Sequence, residues 1–466
     1  MSDAPTRGER LILVAVALSG ILAPLNSTML AVALPRIIDD FQASVGTAGW
    51  LMTSYLLALA VVQPVAGKLG DRFGRRPFVL GGLLVFGIAS LGSALAPSLP
   101  ILIAMRTLQA ISGAIVFPNG ASLLRQLIPA ARRARAFGTM GAALSLAAAL
   151  GPPLGGMIVV AGGWRAIFLI NVPVVLAALV LARSAIPRQV MPEQATARPF
   201  DLVGAILFPL LLLGMALLVI EGVHLVSTTQ VVILGIVLAG VSAIFLWREI
   251  SHADPVFPPH LFARRGFAAA TLGVAASNLG FYTLLLAVPI LLARQSGWSS
   301  LGAGLVLALL CAPMVACSFL GGQLADRIGR RAPVVAGCVL LAAGLAPFVV
   351  EPGLQPTGLI ICLAMTGAGV GLASAGLQTS AVEAVGPEHT GVAAGLFSTC
   401  RYIGSFIGSI ALARLLDGRE GLAGFRALFA IALTGAVISI IAALLLPAAR
   451  QATTNTTPAR GHSMGA

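Results

Sequence analysis

Apolar runs of roughly twenty residues recur along almost the whole chain, separated by short polar stretches. They fall near 10–31, 47–67, 78–97, 99–123, 136–160, 165–184, 202–220, 229–247, 268–292, 301–322, 333–350, 356–378, 391–414 and 425–447. A helix needs ~20 apolar residues to cross hydrocarbon. The pattern therefore predicts an all-α polytopic membrane protein with about fourteen transmembrane helices. Pro97, Ser98 and Pro100 mark a tight turn between the third and fourth runs. The run that starts at Leu11 is longer than a signal-peptide core and has no clear cleavage site, so it reads as a retained first span.

The polar breaks are not all alike. Between the second and third runs stands GKLGDRFGRRP, Gly67 to Pro77, and between the tenth and eleventh stands GQLADRIGRRAP, Gly322 to Pro333. Gly67, Leu69, Asp71, Arg72, Gly74, Arg75 and Arg76 recur at identical spacing as Gly322, Leu324, Asp326, Arg327, Gly329, Arg330 and Arg331. A charged hairpin repeated between membrane spans indicates a two-fold internal repeat, which is common among transporters. Gly67 and Gly74 are expected to let backbones approach closely where span meets loop. The repeat offset of 255 residues is more than six spans require, and the runs at 202–220 and 229–247 fill the surplus. The expected organisation is a six-helix half over 1–190, two additional spans with linkers over 191–260, a second six-helix half over 261–450, and a disordered cytoplasmic tail over 451–466.

Composition narrows the class. The chain is 58% hydrophobic and 10% charged, against about 25% charged in ordinary globular proteins. The net charge of +13 does not imply a nucleic-acid partner, because basic residues collect in the cytoplasmic loops of membrane proteins. Of 29 basic residues, 21 fall on the side of the two hairpins, 6 on the other, and Arg106 and Arg401 lie inside apolar runs. That split places both termini in the cytoplasm. The cysteines Cys311, Cys317, Cys338, Cys362 and Cys400 lie in apolar runs with no metal or disulfide spacing. No metal site and no cofactor are expected.

The doubled hairpin resembles the loop signature of the major facilitator superfamily, and further motifs extend the likeness from Leu25 to about Leu446. Arg106, Gln109 and Gly113 in the fourth span resemble the superfamily's R-x-x-q-G-x-g motif, with Ala110 replacing a glycine. An arginine inside hydrocarbon is costly and by default functional. Gly151, Pro152, Gly155 and Gly156 in the fifth span resemble the G-P-x-x-G-G antiporter motif, which implies a hinge and seal between the halves and favours export. The segments GGWRAIFLINVPVVL, FPPHLFARRGF and GVAAGLFSTCRYIGSFIG resemble the fourteen-span drug:proton antiporter branch. By resemblance, Gly67, Asp71, Arg72, Gly74, Arg75, Arg76, Asp326, Arg327 and Arg330 form a conformational latch. Asp71 would dock near Thr390 to Ala394, and Asp326 near Arg135.

In the superfamily pattern, the first and fourth spans of each half line a central path. The polar and bulky residues on them, Asn26, Met29, Arg106, Gln109, Asn119, Asn278, Tyr282 and Gln378, are candidate cavity residues, with Arg401 as the second intramembrane charge. Phe281 and Trp50 could add apolar surface. The branch usually carries an acid where Asn26 stands, and asparagine does not titrate. No acid lies near a midplane, so neutral or anionic substrates are expected, and a coupling group would sit near a cavity mouth, at Glu221 or Glu383. The motifs of hydrolytic enzymes, H-E-x-x-H and G-x-S-x-G, are missing from the sequence, which argues against an enzyme. The resemblance implies a monomeric exporter of small amphiphilic compounds in a bacterial cytoplasmic membrane, exchanging substrate for protons. An uncoupled facilitator or importer of a neutral or anionic solute is the alternative.

Overall fold

The computed structural model describes residues 6–187, 201–220, 228–252, 255, 257–294, 298–385, 390–417 and 421–447. The side chains of Asp71, Ala130, Ala131, Ala134, Leu202, Ile220, Thr228, Val231 and Thr390 lie outside that description, as do the 191–200 linker, Glu221 and the 451–466 tail. The described residues form fifteen helices: α1 (Arg7–Phe41), α2 (Val45–Phe73), α3 (Arg75–Ala94), α4 (Leu99–Leu127), α5 (Ala130–Leu169), α6 (Asn171–Ala185), α7 (Leu202–Ile220), α8 (Thr228–Ser251), α9 (Pro259–Phe262), α10 (Arg265–Arg294), α11 (Ser300–Ile328), α12 (Arg331–Val350), α13 (Pro356–Glu383), α14 (Thr390–Leu416) and α15 (Ala423–Leu444).

Twelve helical stretches among the described residues are long and apolar enough to cross a membrane, where the hydropathy pattern predicts fourteen. The difference lies in two places. Arg135–Ala185 runs as one 51-residue helical stretch, and the apolar helix Val203–Val219 is shorter than a full crossing. The long stretch is interrupted at Gly163, whose φ of 73° and ψ of 175° are not helical. Just beyond the break, Trp164 Nε1 and Arg165 Nη1 each donate to Asp40 Oδ2 at 2.9 Å, tying the turn to the end of α1.

The sequence repeat is also a repeat of packing. α1 packs along α5 as α10 packs along α14, α3 on α4 as α12 on α13, and α2 on α4 as α11 on α13. The halves meet along two seams, α2 against α14 and α5 against α11. α7 packs on α8 and lies against both α2 and α14, one helix from each half. The two hairpins share a backbone solution. Gly74 ends α2 at φ 91°, and Gly329 ends α11 at φ 87°. Both are in the left-handed region that favours glycine, so each helix stops and the chain turns straight into the next. Large apolar side chains such as Leu84, Ile88, Val180, Val237 and Ile441 stand exposed on the outer faces. Helices satisfy their own backbone polar groups, so such faces suit lipid.

Candidate functional site: a central cavity between the halves

Tight helix contacts close the molecule at the end away from the two hairpins. Gly46 N donates to Asp417 Oδ1 at 3.0 Å, and the hydroxyls of Thr53 and Ser409 are 3.0 Å apart. A Cβ on Gly49 would stand 2.8 Å from that of Ala413. On the other seam, a Cβ on Gly156 would stand 2.7 Å from Ser300 O, and one on Gly304 would stand 2.5 Å from Pro152 O. The same segment of α5 closes on α1: Gly151 lies against Thr28, and a Cβ on Gly155 would be 2.9 Å from the Met29 backbone. Gly151, Pro152, Gly155 and Gly156 thus sit at the contact that joins α1, α5 and α11.

Nearer the hairpins the same two helices are uncovered. Added Cβ atoms on Gly138 and Gly141 of α5, or on Gly391 and Gly395 of α14, would meet nothing within 4 Å. Between this open end and the sealed end lies a cavity of about 290 Å³, the lower end of the range for small-molecule sites. Both halves line it, with Ser27, Tyr55 and Gln63 from one and Asn278, Tyr282 and Gln378 from the other. Phe281 and Arg401 line it too, and Arg401 is the charged residue among the described lining residues. Its Nη2 donates to Ser398 Oγ at 3.4 Å, its guanidinium lies 5.5 Å from the Tyr402 ring centre, and its Nε is buried without a hydrogen-bond partner.

Four of the expected cavity residues therefore line it: Asn278, Tyr282, Gln378 and Arg401. Asn26, Met29, Arg106, Gln109 and Asn119 do not. Met29 is buried in the core cluster at the sealed end. Arg106 is 0% exposed. Its Nη1 donates to Gln109 Oε1 at 2.9 Å, and Asn26 Nδ2 donates to the same oxygen at 3.3 Å. Gln109 Nε2 in turn donates to Ser90 Oγ at 2.7 Å. The Arg106 guanidinium lies over the Tyr55 ring, 4.1 Å from its centre, close enough for a cation–π contact. Tyr55 is the wall: its ring separates this polar network from the cavity, and its hydroxyl donates to Ala23 O at 3.2 Å. Asn119 Nδ2 donates to Ala66 O at 3.1 Å and to Ile115 O at 2.8 Å, bracing the hairpin end of α2. Trp50 packs in a cluster with α7 and α14 residues.

The hairpin residues expected to form a latch stand towards the open end. Asp71 and Thr390 lie outside the described side chains, so their docking is not on view. Gly67 departs from expectation: a Cβ there would meet open space, whereas Gly70, one turn on, is pressed against Asn119. The close approach falls on Gly70 because Asn119 reaches across from α4 to that turn. Arg75 is buried, and Arg76 Nη2 donates to Arg183 O at the end of α6 at 3.2 Å. Arg72 lies over Phe73, and Asp326 and Arg327 are exposed. Arg330 forms an ion pair with Glu383 at the end of α13. Glu383, a candidate proton carrier in the sequence reading, is therefore engaged by a hairpin arginine.

The model of the Major Facilitator Superfamily matches residues 16–409 and, in a second match, 270–464. A transporter named YvkA, described as an uncharacterised MFS-type transporter of Bacillus subtilis, is 34% identical over 93% of this chain and 96% of its own length. The multidrug resistance protein Stp of Mycobacterium tuberculosis is 32% identical over 88% of this chain and 76% of its own. The tetracenomycin C resistance and export protein of Streptomyces glaucescens gives the same three figures. Among solved structures, a bacterial homologue of the human lysosomal transporter Spinster, inward-facing and unoccupied, superposes with a TM-score of 0.66 at 17% identity, covering 95% of this chain and 97% of that one. The fold, the packing repeat and these relatives lead to one assignment: the chain is a multi-pass membrane protein of the major facilitator superfamily.

Proposed function

We propose that this protein exports neutral or anionic amphiphilic compounds by alternating access, in exchange for protons, across a bacterial cytoplasmic membrane. The basic-residue split supports cytoplasmic termini and hairpins, so the cavity opens to the cytoplasm in this conformation. Fourteen crossings fit that orientation. The non-helical break at Gly163 and the apolar character of α7 support that count over the twelve long apolar stretches. Export is supported by relatives named for drug and antibiotic resistance and by the glycine-proline segment at the α1–α5–α11 contact.

Arg401 carries the substrate reading. Its cation faces a cavity whose other described lining residues are neutral, and its Nε has no hydrogen-bond partner. At ~5 Å and an effective dielectric near 20, a unit charge on a ligand interacts with it by about 3 kcal/mol, and water in the cavity reduces that figure. The sign favours anions and opposes cations. The test is transport in everted vesicles of the anionic dye fluorescein and the cationic dye ethidium, for wild type and Arg401→Gln. Fluorescein transport is expected to fall about tenfold in the variant, equal to a loss of about 1.4 kcal/mol. Strong wild-type export of ethidium without fluorescein would refute the substrate reading.

A further inference from the structure

Among the described residues, two acidic side chains are buried, and both belong to the pair of helices inserted between the halves. Asp201, at the start of α7, is 0% exposed, and Glu249, near the end of α8, is 2% exposed. One oxygen of each is satisfied. Asp201 Oδ1 accepts from Gly204 N and from Arg248 Nε, both at 3.0 Å, and Glu249 Oε2 accepts from Phe257 N at 2.7 Å. The remaining oxygens, Asp201 Oδ2 and Glu249 Oε1, are buried without partners. They converge on one place: a Cβ on Gly204 would stand 2.5 Å from the first and 2.8 Å from the second. An ionised carboxylate has only acceptors, so two ionised groups here would leave two buried acceptors facing each other. One proton between them supplies the missing donor and removes the like-charge repulsion.

We propose that Asp201 and Glu249 form a proton-binding site, and that its occupancy is coupled to the opening of the central cavity. This deepens the proton-exchange reading and rests on it for the coupling alone. Arg248 of α8 faces Asp201. Lys68 of α2 and His252 just after α8 stand close enough to act on the charge of Glu249. α14, also packed on α7, brings no charged group to the pair among the described interactions. Contacts lead from the pair to both halves. Lys68, in the first hairpin, donates from Nζ to Pro255 O at 3.4 Å, two residues before the Phe257 amide that holds Glu249. The Phe257 ring packs on Phe208 of α7 and stacks on Phe262 of α9, which meets Phe267 at the start of α10. A change of charge at Glu249 therefore acts on a segment that joins the first hairpin to the second half.

The experiment uses the full chain in lipid, with Asp201→Asn and Glu249→Gln. Both variants keep the shape of the side chain and bring an amide donor to the partner oxygen. Infrared difference spectra taken between about pH 5 and pH 9, where buried carboxyls titrate, are expected to show one buried protonated carboxyl in wild type. Because the proton is shared, both variants should lack it, and its survival in either one overturns the site. In vesicles, pH-gradient-driven fluorescein export should fall about tenfold in Glu249→Gln while fluorescein counterflow, which needs no net proton movement, stays within about twofold of wild type. Wild-type gradient dependence in Glu249→Gln overturns the coupling. Wild-type export that ignores the gradient overturns the proton-exchange reading instead, and the infrared band then decides the site by itself.

Discussion

Gly156→Ala isolates the contact that closes the cavity. The new methyl carbon would stand 2.7 Å from Ser300 O and 2.9 Å from Leu301 Cα, against 3.4–4 Å for ordinary contact. Both obstacles are backbone on the opposite half, so no side-chain rotation relieves them. α5 and α11 must move apart by several tenths of an ångström, and overpacking of this kind costs about 1–3 kcal/mol. The strain exists only while this end is closed. The substitution therefore raises the state open at the hairpin end relative to the state open at the opposite end, and 1–3 kcal/mol corresponds to roughly a 5–150-fold shift in the ratio. Alkylation by an impermeant maleimide reads that ratio, added on the hairpin side for a single cysteine at Ser145 on the cavity wall and on the opposite side for one at Thr53 on the sealed seam, after replacement of the five native cysteines. Gly156→Ala should slow labelling at Ser145 at least about fivefold and speed it at Thr53. Unchanged rates at both sites in a protein that still transports would refute the reasoning, because the contact would then be free to relax.

Two further outcomes are expected. If Asp71 serves as a latch, Asp71→Asn should lower turnover in reconstituted vesicles far more than it lowers fluorescein binding, and normal turnover would count against a latch. On the fourteen-crossing proposal α7 crosses between Ser184 and Thr229, so single cysteines there should label from opposite faces of the membrane, and labelling of both in intact cells would remove α7 from the count.

The repeat was legible in the sequence because it is a backbone constraint. Gly74 and Gly329 both take a left-handed turn that favours glycine. The second half of the cavity was legible for a simpler reason: Asn278, Tyr282, Gln378 and Arg401 are polar groups in apolar runs, and they face the opening. In the first half the same signal led elsewhere. Asn26, Arg106 and Gln109 satisfy one another behind Tyr55, and a polar residue in a span reads identically whether it meets a cavity or a neighbour. Small hydroxyls such as Ser27, Ser318 and Ser374 line the cavity but are too common in packed membrane helices to stand out. Asp201 and Glu249 read as loop acids because they flank apolar runs. Glu249 is met by the Phe257 amide, on chain returning from beyond α8, and Asp201 by Arg248 of the partner helix.

The inserted pair also changes how the molecule meets the bilayer. α7 lies across the α2–α14 seam, touching a helix of each half, while among the described residues neither inserted helix packs along the α5–α11 seam. The two halves are alike, but the two sides they present to lipid are not. A compound dissolved in the leaflet beside the hairpins would meet α7 across one seam and no inserted helix across the other. A transporter assembled from two matching halves thereby has a front and a back.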